Sequence, residues 1–126
     1  MCGIVGLISA NHNSDIESVV SRMASAIRHR GPDDKGSWVD KDAGVALGHR
    51  RLSVVDLSPA GHQPMVSASE RWVIAYNGEI FNHLDLRRRL NSEHQAPSWR
   101  GHSDTETIVA CIDAWGVEAT LENSSR

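Results

Sequence analysis

Cysteine is nearly missing from this chain of 126 residues. The two present, Cys2 and Cys111, lie far apart and form no CxxC pair. That argues against a disulfide framework or a thiolate zinc site and fits a reducing cytoplasm. Long apolar runs are also missing. The first ten residues are apolar, but no basic segment precedes them and no apolar stretch extends them. Neither a signal peptide nor a membrane span is therefore expected. Excess positive charge is absent too: a net charge of −3 gives no electrostatic case for nucleic acid or an anionic membrane. The seven histidines (His12, His29, His49, His62, His83, His94 and His102) show no HxxxH or HxxEH spacing, so no metal is expected. Repeats, low-complexity tracts and linkers are not found either.

What remains is ordinary for a globular protein, with 40% hydrophobic and 23% charged residues. A chain of this length is one domain or part of one, able to bury roughly two-thirds of its unfolded surface. Residues 2–8 read as a short, buried, apolar strand. Ser14 and Glu17 have capping-box spacing, and Ile16, Val19, Val20, Met23 and Ile27 recur at helical intervals up to the Gly31-Pro32 stop. Trp38-Val39 and Val45-Ala46-Leu47, joined by a turn at 40–44, read as a hairpin. A strand is expected from Trp72 to Tyr76, and a helix from His83 to Leu90 with Asn82 as its N-cap. Arg87-Arg88-Arg89 would then form a solvated helix face. Ser103 and Glu106 have capping-box spacing before an apolar face of Ile108, Val109, Ile112 and Trp115, with Gly116 as the stop. Residues 118–126 read as a polar tail. The expected class is α+β.

Chemistry is concentrated at Cys2. Removal of Met1, favoured by a small second residue, would give Cys2 both a thiol and a free α-amine. The amine titrates near pH 7.7–8.0 and can serve as a base to the thiol. Read alone, the opening stretch favours Cys2 as a small apolar residue at the start of a buried strand. Attack on an amide carbonyl also needs oxyanion donors and groups to hold the substrate. Asn77 and Gly78 could supply a side-chain amide and a backbone N–H, although Asn-Gly is also the favoured two-residue hairpin turn. Arg51 could grip a carboxylate with its two-pronged guanidinium, or be a surface charge. Asp104 could accept from a substrate ammonium, or suit the N-terminal end of a helix dipole. Together these residues describe a pocket for an α-amino acid whose side-chain amide lies near Cys2.

Six stretches go further: Met1-Cys2-Gly3-Ile4-Val5-Gly6, His29-Arg30-Gly31-Pro32-Asp33, Arg51-Leu52-Ser53-Val54-Val55-Asp56, Gly61-His62-Gln63-Pro64-Met65, Tyr76-Asn77-Gly78-Glu79-Ile80-Phe81-Asn82 and Ser103-Asp104-Thr105-Glu106. In order and spacing they resemble the class II glutamine amidotransferases, and among these the asparagine synthetase-like enzymes. The resemblance implies an N-terminal-nucleophile hydrolase fold, an αββα four-layer sandwich expected to be incomplete at its C-terminal end. It implies Cys2 as nucleophile with its own amine as base, and Asn77 and Gly78 as the oxyanion hole. Arg51 would bind the α-carboxylate of L-glutamine and Asp104 its α-amino group. Backbone groups of Leu52, Ser53, Val54 and Val55, with Glu79, would complete the pocket. The stretches 29–33 and 61–65 look like supporting loops.

The resemblance also implies further strands and a large synthetase domain that takes up the ammonia with ATP and magnesium. Residues 1–126 are thus expected to be part of a glutaminase domain, with the synthetase half absent from this stretch. An unpaired sheet edge would invite self-association, which puts a homo-oligomer among the expected partners. The alternative expectation is a catalytically silent fragment acting only as a folding or interaction module.

Overall fold

The computed structural model describes residues 2–11, 15–53 and 58–125. Its elements are β1 (Gly3–Ile8), α1 (Ile16–Ala26), β2 (Asp34–Asp40), β3 (Val45–Arg51), β4 (Met65–Val66), β5 (Val73–Ile74), α2 (His83–Ser92), α3 (Asp104–Trp115) and α4 (Val117–Asn123). The class is α+β. The chain divides into two compact units.

The first unit comprises Met1–Leu57, His62–Pro64 and Ala75–Asn77. It holds a three-stranded antiparallel sheet in the order β1-β3-β2. The expected hairpin is present and longer than its apolar residues suggested, pairing Asp34 with Arg51 at one end and Asp40 with Val45 at the other. Strand β1 pairs Gly3 with Arg50 and Ile8 with Val45. This register carries Cys2 and Arg51 to the same end of the sheet.

Helix α1 packs on the sheet. Ile16, Val20 and Ala46 are buried together, with Val5, Leu7 and Val39 around them. The reading of residues 2–8 as a buried strand is corrected here. As an edge strand, β1 buries alternate residues, because α1 covers the face of Val5 and Leu7. Ile4 and Ile8 point the other way and are exposed. Asp15 caps α1 by accepting from the Ser18 N–H at 3.1 Å. Ser14, expected in that role, lies outside the described residues.

The second unit comprises Ser58–Gly61, Met65–Ile74 and Gly78–Arg126. Here β4 and β5 form a two-stranded antiparallel ladder, and α3 packs on it and against α2 and α4. Ser103 caps α3 by accepting from the Glu106 N–H at 3.2 Å, as its spacing predicts. The reciprocal half of the capping box is absent. The Glu106 carboxylate instead accepts from the backbone N–H groups of Arg100, at 2.6 Å, and Gly101, at 3.0 Å. Helix α3 is buried all round from Thr105 to Cys111 rather than along one stripe.

Three further expectations change. The strand expected over 72–76 is ordered as a ladder only at Val73–Ile74. The polar tail is mostly helix α4, which follows Gly116 directly. Arg87 does not lie on a solvated face. It is buried, donating to Thr107 Oγ1 at 2.7 Å, the Gly101 carbonyl at 2.8 Å and the Ser103 carbonyl at 2.9 Å. Its guanidinium also stacks over Trp99 at 4.1 Å and lies 3.7 Å from Glu106. Burial lowers its pKa, and the charge of Glu106 opposes that shift. A guanidinium that satisfies two carbonyls and a hydroxyl is worth burying, which composition alone does not reveal.

Asn82 precedes α2 as expected but makes no capping bond. Its side chain is used in tertiary structure, donating to the Asn123 carbonyl and accepting from the Ser125 N–H, each at 2.8 Å.

Candidate active site

In the first unit the site is assembled at the sheet end that holds Cys2. The half-buried Cys2 thiol lies against the backbone of Leu52, whose N–H points at Sγ over 3.5 Å. The Leu52 carbonyl lies 3.9 Å from the same sulfur. Arg51 is the last residue of β3 and immediately precedes this contact.

The segment leaving β3 is fixed by the loop read as supporting. The Asp33 N–H donates to the Arg51 carbonyl at 3.0 Å, and the Asp33 carboxylate accepts the Ser53 N–H at 2.8 Å. Arg50 Nε donates to the Gly31 carbonyl at 3.1 Å. Any side chain at Gly31 would collide with the Arg50 carbonyl and lie within 2.6 Å of the Arg51 nitrogen. Glycine is therefore required for the loop to lie this close. The stretch 29–33 thus acts as a backbone clamp on Arg51, Leu52 and Ser53. Val54 and Val55, expected to contribute to the pocket, lie outside the described residues.

The second supporting stretch has an equally definite role. His62 Nδ1 and Asp34 Oδ2 are 2.7 Å apart. Burial pushes the Asp34 pKa up, but the His62 hydrogen bond, the Lys35 N–H and the charges of His62 and Arg51 bring it down on balance. The next residue, Gln63, accepts the Tyr76 N–H on its Oε1 at 2.6 Å. A side chain at Gly36 would collide with the Gln63 carbonyl and approach the His62 ring to 2.7 Å.

The Tyr76 carbonyl faces Nε2 of His49 at 3.3 Å. Since a carbonyl can only accept, His49 carries its proton on Nε2 here. His49 is 1% exposed on the central strand. Burial lowers its pKa, helped by the charges of Arg51 and His62 and opposed by the Tyr76 bond and Asp34. The imidazole is therefore neutral at pH 7. Sequence reasoning treated His49 as one of several scattered histidines and left Gln63 without a role. The signal available was the position of Gln63 inside a recognisable motif.

Asn77 closes the first unit, exposed at the end of its segment. The hairpin alternative for Asn77-Gly78 does not hold, because the described residues beyond Gly78 contain helices and no strand. Gly78 and Glu79 are exposed and belong to the second unit. There the Asp104 carboxylate, in the first turn of α3, accepts the Ile80 N–H at 2.8 Å. Among the described residues no group of three or more His, Cys, Asp or Glu is arranged to hold a metal ion. Among them, too, no helix is long and apolar enough to cross a membrane.

In the first unit, then, a free cysteine at the end of β1 lies against the backbone of Leu52, next to an arginine whose carbonyl is held by Asp33. Sequence comparison matches residues 1–125 to the glutamine amidotransferase domain, and the chain belongs to that family of enzyme domains. It is 36% identical to a putative glutamine-hydrolysing asparagine synthetase of Mycobacterium tuberculosis, over 94% of this chain and 20% of the relative. It is also 36% identical to glutamine-hydrolysing asparagine synthetase 1 of Bacillus subtilis, over 94% of this chain and 18% of the relative. A third relative, amidase chry2 of Gibberella zeae, is 34% identical over 93% of this chain and 18% of its own length. The chain spans about a fifth of the length of these curated relatives.

Proposed function

We propose that this domain hydrolyses L-glutamine to glutamate and ammonia through a covalent Cys2 thioester. The observation that carries the reading is the half-buried Cys2 thiol against Leu52, one residue beyond Arg51, in a backbone held by Asp33. With Met1 removed, the Cys2 α-amine takes the thiol proton and the thiolate attacks the side-chain carbonyl of glutamine. Charge then develops on oxygen toward the Asn77 side-chain amide and the Gly78 N–H. Collapse breaks the C–N bond, and the proton held by the α-amine leaves with ammonia. Water attacks the γ-glutamyl thioester, releasing glutamate and restoring the thiol.

Arg51 binds the substrate α-carboxylate and Asp104 its α-ammonium. Backbone groups from Leu52 to Val55, with Glu79, line the remainder of the pocket. Nucleophile, base and oxyanion donors are all protein groups in this scheme. ATP and magnesium serve the partner chemistry, in which a synthetase domain joins the ammonia to a carboxylate acceptor. The relatives' names support such a domain, including asparagine formation as its product. In the same reading, the one-sided sheet with Ile4 and Ile8 exposed is half of an αββα four-layer N-terminal-nucleophile sandwich. A homo-oligomer in the cytoplasm is compatible with that exposed face.

The test is glutamate release from glutamine, measured on protein whose N-terminal mass shows Cys2 as first residue. Stoichiometric glutamate and ammonia are expected, together with an acid-stable glutamyl adduct on Cys2. Processed protein that leaves glutamine intact would point instead to a silent folding or interaction module.

A further inference from the structure

Tyr76 is held from both sides by side chains that lie far from it in sequence. Gln63 Oε1 takes its N–H at 2.6 Å, and His49 Nε2 donates to its carbonyl at 3.3 Å. These are two different peptide planes. The N–H belongs to the plane shared with Ala75, the carbonyl to the plane shared with Asn77. Fixing both sets the backbone torsions at Tyr76, and hence the place and heading of the Asn77 N–Cα bond from which its side chain is carried. Tyr76 lies two residues beyond the end of β5 at Ile74.

Both holding groups are buried and anchored in turn. His49 is 1% and Gln63 8% exposed. His49 sits on the central strand, and the missing side chain at Gly36 lets the Gln63 carbonyl lie against the sheet. All these residues belong to the first unit.

We infer that His49 and Gln63 are positioning residues that hold the Tyr76–Asn77 backbone so that the Asn77 amide meets the developing oxyanion. This rests on the glutaminase reading above. It adds to that reading a reason for a buried, neutral histidine that takes no proton from the substrate. Preorganised donors work only when their direction is fixed before charge appears. A displacement of about 1 Å can cost roughly 10²-fold in rate.

The experiment compares processed wild type with His49→Leu, His49→Gln and Gln63→Met. Three quantities are followed: glutamine hydrolysis, alkylation of Cys2 by iodoacetamide, and the Tyr76 carbonyl-carbon and amide resonances. Alkylation by displacement forms no oxyanion, so it reports the thiol and the fold without the oxyanion hole. His49→Leu and Gln63→Met are expected to lower kcat roughly 10–100-fold, with KM changed less than about threefold. Alkylation should stay within about twofold, and the Tyr76 resonances should move. His49→Gln, whose amide can replace the Nε2 donor, should recover most of the rate and the carbonyl resonance.

Equal losses in alkylation and hydrolysis would overturn the inference, because the defect would then be general. So would unchanged kcat with shifted resonances. If wild type releases no glutamate, the proposed function fails instead. Unmoved Tyr76 resonances then also overturn the clamp, and moved ones uphold it. Gln63→Met replaces the side-chain amide with an apolar chain of similar length and leaves His49 in place, so it reads the clamp even if His49→Leu does not fold.

Discussion

Asp104 accepts the Ile80 N–H at 2.8 Å, so the acid assigned to a substrate ammonium also pins the backbone that begins at Gly78. One carboxylate oxygen is committed to structure, and Ile80 beneath it is 1% exposed. The two duties can be separated chemically. Asp104→Asn keeps an oxygen acceptor for Ile80 but removes the charge. It should leave the urea midpoint nearly unchanged while raising KM for glutamine roughly tenfold or more, since a hydrogen bond to a charged group is worth about 1.5–3 kcal/mol. Asp104→Ala should harm both. Arg51→Lys should also act mainly on KM, because a point charge replaces a fork. Steady-state kinetics beside denaturation curves decide the matter.

Cys2 and Asn77 should fail differently. Cys2→Ala removes the bond-forming atom and should abolish glutamate release. Asn77→Ala removes one oxyanion donor and should lower kcat about 10²–10³-fold while still accumulating the thioester slowly. Equal damage from the two would mean that the roles are wrongly divided.

Thiol labelling offers a check that needs no activity. Cys111 is fully buried, and burial pushes its pKa up to about 12. Cys2 is only half-buried. Iodoacetamide at pH 8 should add one equivalent to the native protein, at Cys2, and two in denaturant. Intact mass and peptide mapping would read this directly.

Arg87 should be among the costliest positions for stability. Its removal leaves the Gly101 and Ser103 carbonyls and the buried Glu106 carboxylate short of a partner. Arg87→Leu should destabilise by about 3–5 kcal/mol, the usual cost of breaking a buried pair from one side. Urea unfolding would measure it. Arg88 forms an exposed pair with Asp85, and its replacement should change stability by less than about 1 kcal/mol.

Acid should weaken the protein through His49. Its folded pKa lies below the unfolded value of about 6.5, so the unfolded chain binds the extra proton first. The stability contribution is complete above pH 6.5 and is lost as pH falls below it toward the folded value. Arg51 and His62 resist the proton, while Asp34 and the Tyr76 carbonyl favour it. Thermal melts from pH 8 to pH 5 should fall in wild type and flatten in His49→Gln. Asp34, whose own pKa is lowered, loses its contribution only at more acidic pH.

Much of the local structure was legible because it depends on near neighbours. The α1 periodicity, the Ser103 cap, the Gly116 stop and the hairpin around residues 40–44 all follow from residues within a turn or two. Cys2, Arg51, Asn77 and Asp104 could be nominated as site candidates because thiol, fork, amide and carboxylate are chemical types that a sequence displays outright. Where Arg87 went was not legible. An arginine in a helix reads as exposed until the Gly101 and Ser103 carbonyls and Trp99 are known to converge on it. Asn82 had a capping residue's identity, but distant partners at Asn123 and Ser125 took its side chain.

The sequence alone determined the chemical inventory: a thiol at the second position, a forked cation, an Asn-Gly step and an acid next to a helix-capping serine, in a recognisable order. Only the tertiary structure decided what holds them. Asp33 reaching Ser53, and His49 with Gln63 reaching Tyr76, are contacts between residues at least 13 positions apart. Such bonds form only once strand pairing has brought the segments together. Their existence depends on register and burial, which no single residue carries.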